Sequence, residues 1–386
     1  MSYPEGHTYN STMTYIDIQT PALVLDKSKL SANISRMTDH IKSLGVNLRP
    51  HVKTSKSIDV ARLATADNFG GITVSTLKEA EYFATHGVTD MTLAACLAPS
   101  KLDRVAALRA QGVDLKILID HPDMATAISQ HSGEHDVLIE IDCGEHRTGV
   151  DGQSSEFMQI ASLLDKAPNT KLAGVLTHAG HSYACRTAEE VVGLAETERA
   201  AVVDAAERLR RAGMECAIVS VGSTPTAIHA RDLTGVTEAR PGIYMFGDLF
   251  QAGIGSCGIS DIALTVLCTV IAHQKTNRTL IVDAGGLALS KDRSTQVLPA
   301  DCGYGLVCDA EKGTVLPGWI VEAVHQEHGE ISSAQPIDFA TYPIGSQLRI
   351  LPNHSCMTAA AYSSYHVFPG AAATGDFEIW TRCNGW

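Results

Sequence analysis

Between about residues 47 and 250, short β-branched apolar runs alternate with amphipathic stretches eight times. The runs are 47–53 (NLRPHVK), 71–75, 91–95, 115–120, 136–142, 171–178, 215–222 and 235–244. Each is too short for a helix and reads as a buried strand. The stretches between them carry apolar residues at helical spacing. The segment 188–211, AEEVVGLAETERAAVVDAAERLRR, is the longest and is rich in strong helix formers; 76–86 is another. Eight strand–helix units in about 200 residues predict a (β/α)8 barrel, a TIM-type α/β fold. A doubly wound open sheet is the competing architecture.

After residue 255 the texture changes. Segments 263–273, 278–283, 319–327 and 347–351 are strand-like, with turns between them and few helical windows. They predict a mainly β second domain formed by residues 1–19 and 253–386, after a barrel domain of residues 20–252. The apolar run 20–26 (TPALVLD) precedes the barrel pattern and can pair into the second domain. With no long linker between the domains, their interface is the expected place for a small-molecule site.

Charge narrows the partners. Acids outnumber bases 43 to 30, giving a net charge of −13. That argues against nucleic acid, whose phosphates need a basic face, and against an anionic membrane surface. The N-terminus shows no basic and apolar leader pattern, and no window of about 18 apolar residues occurs. Ten cysteines without a CxxC pair read as reduced core residues of a cytoplasmic protein. Asn33-Ile34-Ser35 fits a glycosylation acceptor but has no leader to give it weight.

In a barrel the chemistry sits at the C-terminal strand ends. The first strand ends in RPHVKTSK, placing Lys53 at the mouth. There it reads either as a surface lysine or as a partly buried Schiff-base lysine. After the fifth strand, glycines flank Arg147 in EIDCGEHRTGV and let the loop present its guanidinium. The sixth strand ends THAGHSY, where His178 can lie flat on an aromatic ring or be a satisfied core histidine. The seventh ends SVGSTPTA: Gly222 permits close backbone approach, and Ser223 or Thr224 can cap a helix whose first turn holds Pro225. Free N–H groups at such a start bind phosphate, and RPGIY, with Gly242, adds a second glycine turn beside it. In the β domain, LPNHSC sets His354 and Cys356 two apart, on one face of a strand, as a pair of metal ligands. Two ligands leave open positions, as at a catalytic metal. A buried cysteine beside an unrelated histidine is the alternative.

Together with GITVSTLKEAE and QEHG, and in this order and spacing, these segments resemble the fold-type III pyridoxal-phosphate enzymes. These are the alanine-racemase-like barrels. The chain is most similar to their D-serine dehydratase and D-threonine aldolase branch, over about residues 20–386. The resemblance implies that Lys53 carries pyridoxal 5'-phosphate, that Arg147 bonds its phenolic oxygen, and that His178 lies near its ring. It implies a phosphate cradle of Gly222, Ser223, Thr224, Gly242 and Ile243, with Tyr183 close to cofactor or substrate. Arg240 matches the arginine facing the pyridine nitrogen in alanine racemases. Dehydratases of this kind bind Zn2+ through His-x-Cys, whereas the aldolases carry His-x-Asp, suited to Mn2+ or Mg2+. His354 and Cys356 therefore favour zinc and dehydration.

The expected substrate is a D-3-hydroxy amino acid of the D-serine, D-threonine and D-threo-3-hydroxyaspartate class. Lys53 would act as base at Cα, and zinc would assist departure of the hydroxyl. The enamine released would hydrolyse to a 2-oxo acid and ammonia. Glu327 and His328 are candidates for proton transfer. Retro-aldol cleavage to glycine and an aldehyde is the alternative. A non-catalytic cofactor carrier is more remote, because such carriers lack a second domain. The resemblance also suggests a homodimer.

Overall fold

Eight parallel strands make the first sheet: Asn47–Leu48, Ile72–Val74, Asp90–Cys96, Asp114–Ile119, His135–Ile141, Thr170–Thr177, Ile218–Val221 and Glu238–Ala239. Neighbours in sequence are neighbours in the sheet, the last strand pairs with the first, and a His51–Thr73 bridge joins the first to the second. The ring closes, so the barrel forms and not the open sheet. The structure is a computed structural model and describes residues 14–373 and 375–386. Residues 1–13, assigned above to the β domain, lie outside the described residues.

The helices around the ring follow the sequence pattern. Ala188–Arg211 starts where a capping box dictates: the Thr187 side chain accepts from the Glu190 N–H at 3.2 Å, and Glu190 accepts from the Thr187 N–H at 3.1 Å. Its buried stripe includes Val191, Ala195, Val202, Ala205 and Leu209. Burying Val202 and Leu209 stabilises the helix's seat by about 1.5–3 kcal/mol each. Glu198 breaks the apolar stripe and is itself buried. Its carboxylate accepts from the Ala179 N–H (2.9 Å), the Gly222 N–H (3.2 Å) and the Thr226 hydroxyl (2.6 Å). One buried acid thus ties together the ends of the sixth and seventh strands.

The second sheet has nine strands. Six of them close into a small barrel: Leu264–Gln274, Thr279–Val282, Gly329–Ser333, Val315–Val324, Leu306–Asp309 and Gln347–Leu351. Ala22–Asp26, Ser364–Phe368 and Glu378–Thr381 extend it. The apolar run at 20–26 does pair here, antiparallel to Leu264–Gln274 and parallel to Ser364–Phe368. Among the described residues no helix is long and apolar enough to cross a membrane.

Candidate active site

The C-terminal strand ends of the large barrel face the second domain across a cleft of about 310 Å³. Lys53, Arg147, His178, Tyr183, Ser223, Thr224, Arg240, Gly242, Ile243, His354 and Cys356 all line it. Gly222 adjoins it, its carbonyl accepting from Nδ1 of His178. The cleft also takes in residues that sequence reasoning missed: His51, Glu145, Asp248, Gln251 and Ser294.

Lys53 stands exposed at the mouth, so the partial burial expected of it is not seen. Its backbone N–H donates to Nδ1 of His51 at 3.4 Å. Burial, reinforced by the Lys53 charge, holds His51 well below the usual histidine range. The same two causes, in the same order, bring His178 to about 3. Both rings are therefore neutral at physiological pH. Because Nδ1 of His178 donates to the Gly222 carbonyl, its Nε2 carries a lone pair. Arg147 sits on the loop after the fifth strand and pairs with Glu145 at 3.2 Å. Gly149 lets that loop turn: its φ is +99°, and a Cβ there would meet the Asp142 nitrogen at 2.7 Å.

Ser223 caps the helix Thr224–His229, accepting from the Thr226 N–H at 3.3 Å, with Pro225 in the first turn as expected. Beside it, Gly242 packs so closely that a Cβ would come within 2.6 Å of the His51 carbonyl oxygen. The Thr224 hydroxyl in this cup is buried and has no hydrogen-bond partner among the described residues.

Arg240 is buried at the floor of the cleft. Its Nε donates to the Ser220 hydroxyl at 2.7 Å and its Nη2 to the Thr177 carbonyl. Ser220 donates on to Glu238 (2.8 Å), which also accepts from Nε of Arg49 (2.7 Å). Arg49 then grips Asp90 at 2.8 and 3.2 Å, and Lys116 bridges Asp90 and Asp114 at 2.6 Å each. This line of alternating charge runs down from the mouth. Burial pulls the Arg240 pKa down, and the carboxylates of Glu238, Glu198 and Glu140 oppose it. The guanidinium remains a cation at neutral pH.

The metal-ligand candidates are positioned by a helix start. His354 and Cys356 do not share a strand, as their spacing suggested. The strand ends at Leu351, and Ser355–Ala359 is a one-turn helix with His354 at its N-cap position. Pro352-Asn353 breaks the strand, since proline cannot continue its ladder. The side chains converge even so, both lining the same cleft. Burial raises the Cys356 thiol, but the His354 hydrogen bond and charge outweigh it and bring the thiol below its ordinary value. The Thr54 hydroxyl lies 3.0 Å from its sulfur. Nδ1 of His354 is 2.9 Å from Asp292, whose carboxyl this bond holds at about 2. Asn353 fixes the Asp292 segment, donating to the Asp292 carbonyl (3.0 Å) and the Gly303 carbonyl (2.6 Å). Buried Asp248 latches the two domains by accepting from the Ser355 N–H at 3.1 Å, and burial lifts its carboxyl to about 6. Glu327 and His328 lie exposed in a turn and do not line the cleft.

The alanine racemase N-terminal domain family matches residues 25–249, and a serine dehydratase domain matches residues 263–368. The chain belongs to the alanine-racemase-like, pyridoxal-phosphate-dependent family. It is 46% identical to the D-threo-3-hydroxyaspartate dehydratase of Delftia sp. (strain HT23), over 97% of this chain and 99% of that one. The solved structure of that enzyme superposes with a TM-score of 0.93, covering 97% and 100% of the two chains at 45% identity. A variant of a D-threo-3-hydroxyaspartate dehydratase, 45% identical, has been solved in a metal-free form. The chain is 32% identical to the D-serine dehydratase of Dictyostelium discoideum, covering 91% and 93%. It is 30% identical to the 3-hydroxy-D-aspartate aldolase of Paracoccus denitrificans (strain Pd 1222), covering 78% and 80%.

The residues fit the family's cofactor. The unpartnered Thr224 hydroxyl and the cup that a Cβ at Gly242 would fill suit a phosphate group. The donor set at the other end suits a borderline-soft divalent cation: a thiol with lowered pKa and an imidazole oriented by a carboxylate.

Proposed function

We propose that this chain is a lyase that removes water from a D-3-hydroxy amino acid, yielding a 2-oxo acid and ammonia. Pyridoxal phosphate would be held on Lys53, and a divalent cation, zinc by preference, on His354 and Cys356. The observation that carries this reading is the convergence, in one cleft, of Lys53 with a Cys–His pair backed by Asp292. The dehydratases among its relatives support elimination over aldol cleavage. Their substrates suggest D-threo-3-hydroxyaspartate or D-serine for this chain.

Bound here, the cofactor supplies an electron sink at Cα and the cation supplies positive charge at the leaving oxygen. The chain supplies the rest. The Lys53 amine takes the Cα proton. Arg147, steadied by Glu145, would present a cation to the cofactor's phenolic oxygen. Neutral His178 would pack near the ring without adding charge. Arg240, a buried cation fixed by the Ser220 hydroxyl and the Thr177 carbonyl, would offer a hydrogen-bond donor at the ring nitrogen. Asp292 would keep the second nitrogen of His354 turned toward the cation. Thr224 and the backbone around Ser223, Gly242 and Ile243 would hold the phosphate. The enamine left by elimination hydrolyses to the 2-oxo acid.

The test is ammonia release from D-threo-3-hydroxyaspartate by holoenzyme, with and without a chelator. The chelator and Cys356→Ala should each lower the rate by about a hundredfold or more, and added zinc should restore only the chelated wild type. Ammonia release indifferent to both would overturn the reading.

A further inference from the structure

Arg382 follows the last strand, Glu378–Thr381, and is buried, at 7% exposure. Every acceptor it meets among the described residues is a carbonyl, amide or hydroxyl oxygen, and none is a carboxylate. Its donors point to two separate segments. Toward the first, Nη2 donates to the Thr54 carbonyl at 3.2 Å. Nε donates to the hydroxyl of fully buried Tyr365 at 2.7 Å, and that hydroxyl donates on to the Ser55 carbonyl at 2.7 Å. Toward the second, Nη1 donates to the carbonyls of Ala359 and Tyr362, the latter at 2.9 Å. The next residue adds to the first attachment: the Cys383 N–H donates to the Lys56 carbonyl at 2.8 Å. Lys56 has a φ of +46°, a left-handed backbone that a residue with a Cβ keeps only where its surroundings hold it.

A guanidinium buried without a counter-charge is costly, so the two segments it joins matter. Thr54 and Ser55 directly follow Lys53. Ala359 closes the one-turn helix that starts beside His354 and carries Cys356. The Thr54 hydroxyl, 3.0 Å from the Cys356 sulfur, ties the same two segments directly. We propose that Arg382 is a positioning residue that locks the Lys53 backbone to the helix of the proposed metal pair. On the dehydratase reading, from which this inference starts, the lock keeps the base at Cα and the positive charge at the leaving oxygen at one separation. Lys53 is exposed, so its amine is aimed by the backbone it springs from. His354 and Ser355 have holds of their own, in Asp292 and Asp248. Loosening Arg382 therefore displaces the lysine and leaves the ligand pair in place.

The experiment compares two variants with wild type as zinc-loaded holoenzyme. Arg382→Lys keeps the charge but loses the planar fork. Tyr365→Phe removes only the hydroxyl that relays to Ser55. With D-threo-3-hydroxyaspartate, kcat for ammonia release should fall by about a hundredfold and about tenfold respectively, as for a misplaced reacting group. KM and zinc affinity should stay within about threefold. Deuterium exchange of residues 53–57 should quicken about tenfold in both variants, while the strand His135–Ile141 keeps its rate. The exchange arm needs no turnover. A wild type that releases no ammonia would count against the dehydratase reading, and exchange would still decide the lock. Should Arg382→Lys fail to fold, Tyr365→Phe carries the test alone. Unchanged exchange at 53–57, an unchanged kcat, or a fall in kcat matched by an equal loss of zinc affinity overturns the proposal.

Discussion

Replacing Asp292 with Asn isolates one electrostatic contribution at the proposed metal pair. Asp292 Oδ2 accepts from His354 Nδ1 at 2.9 Å, and that bond holds the Asp292 carboxyl at about 2, so it is a full anion at neutral pH. Such an anion fixes the imidazole tautomer and raises the basicity of the nitrogen facing the cation. Asp292→Asn retains an acceptor oxygen of the same reach and removes only the charge. Loss of a carboxylate behind a metal-ligating histidine weakens metal affinity by about 10–100-fold, or about 1.4–2.7 kcal/mol. Asp292→Ala also removes the acceptor and belongs at the upper end. The assay is zinc competition against a chromogenic chelator, with ammonia release followed as free zinc is raised. The half-saturating zinc concentration should rise by that factor, while the rate at saturating zinc stays within about threefold. An unchanged zinc affinity, or a lost rate at unchanged affinity, would refute the reasoning.

Three further outcomes are expected. Thr224→Val should weaken pyridoxal phosphate binding to apoenzyme by about tenfold, one hydrogen bond's worth, measured by fluorescence titration; unchanged affinity would remove Thr224 from the phosphate cup. Glu238→Gln should cost about 3–5 kcal/mol in urea unfolding, because it leaves Arg49 and Arg240 short of a buried counter-charge; a loss below about 1 kcal/mol would mean that the charged line is not a stabilising unit. His51 and His178 are held below the unfolded value of about 6.5, so the unfolded chain binds more protons below that pH and stability falls as pH drops through about 6.5 toward 3. At pH 5 the His178 imidazole should have cost about 2 kcal/mol, 1.5 units at about 1.4 kcal/mol per unit, and His51 acts in the same direction. His178→Gln should lose that much less than wild type between pH 7 and pH 5.

The large barrel was legible because buried parallel strands are nearly continuous apolar runs, and because 188–211 shows helical periodicity in strong helix formers. The second sheet was half legible. Strands Leu306–Asp309, Gly329–Ser333, Ser364–Phe368 and Glu378–Thr381 escaped notice because they are four or five residues long and two of them, GEISS and EIWT, alternate weakly. The nearness of His354 and Cys356 was expected for a reason that the structure corrects: their two-residue spacing suggested a shared strand face, whereas a helix start brings them to one cleft. Asp292 lies 62 residues before His354, and no local pattern links a loop acid to a distant histidine. Glu198 was hidden because a glutamate in a strong helix reads as a solvated face. Only the fold shows it inside, holding two strand ends.

The most direct measurement of the central claim is product analysis with D-threonine, one substrate on which the two lyase chemistries part. Elimination from this cleft, with zinc on His354 and Cys356, predicts 2-oxobutyrate and ammonia in equal amounts, lost on chelation. Glycine and acetaldehyde would contradict it and would mean that the thiolate at Cys356 does not select dehydration.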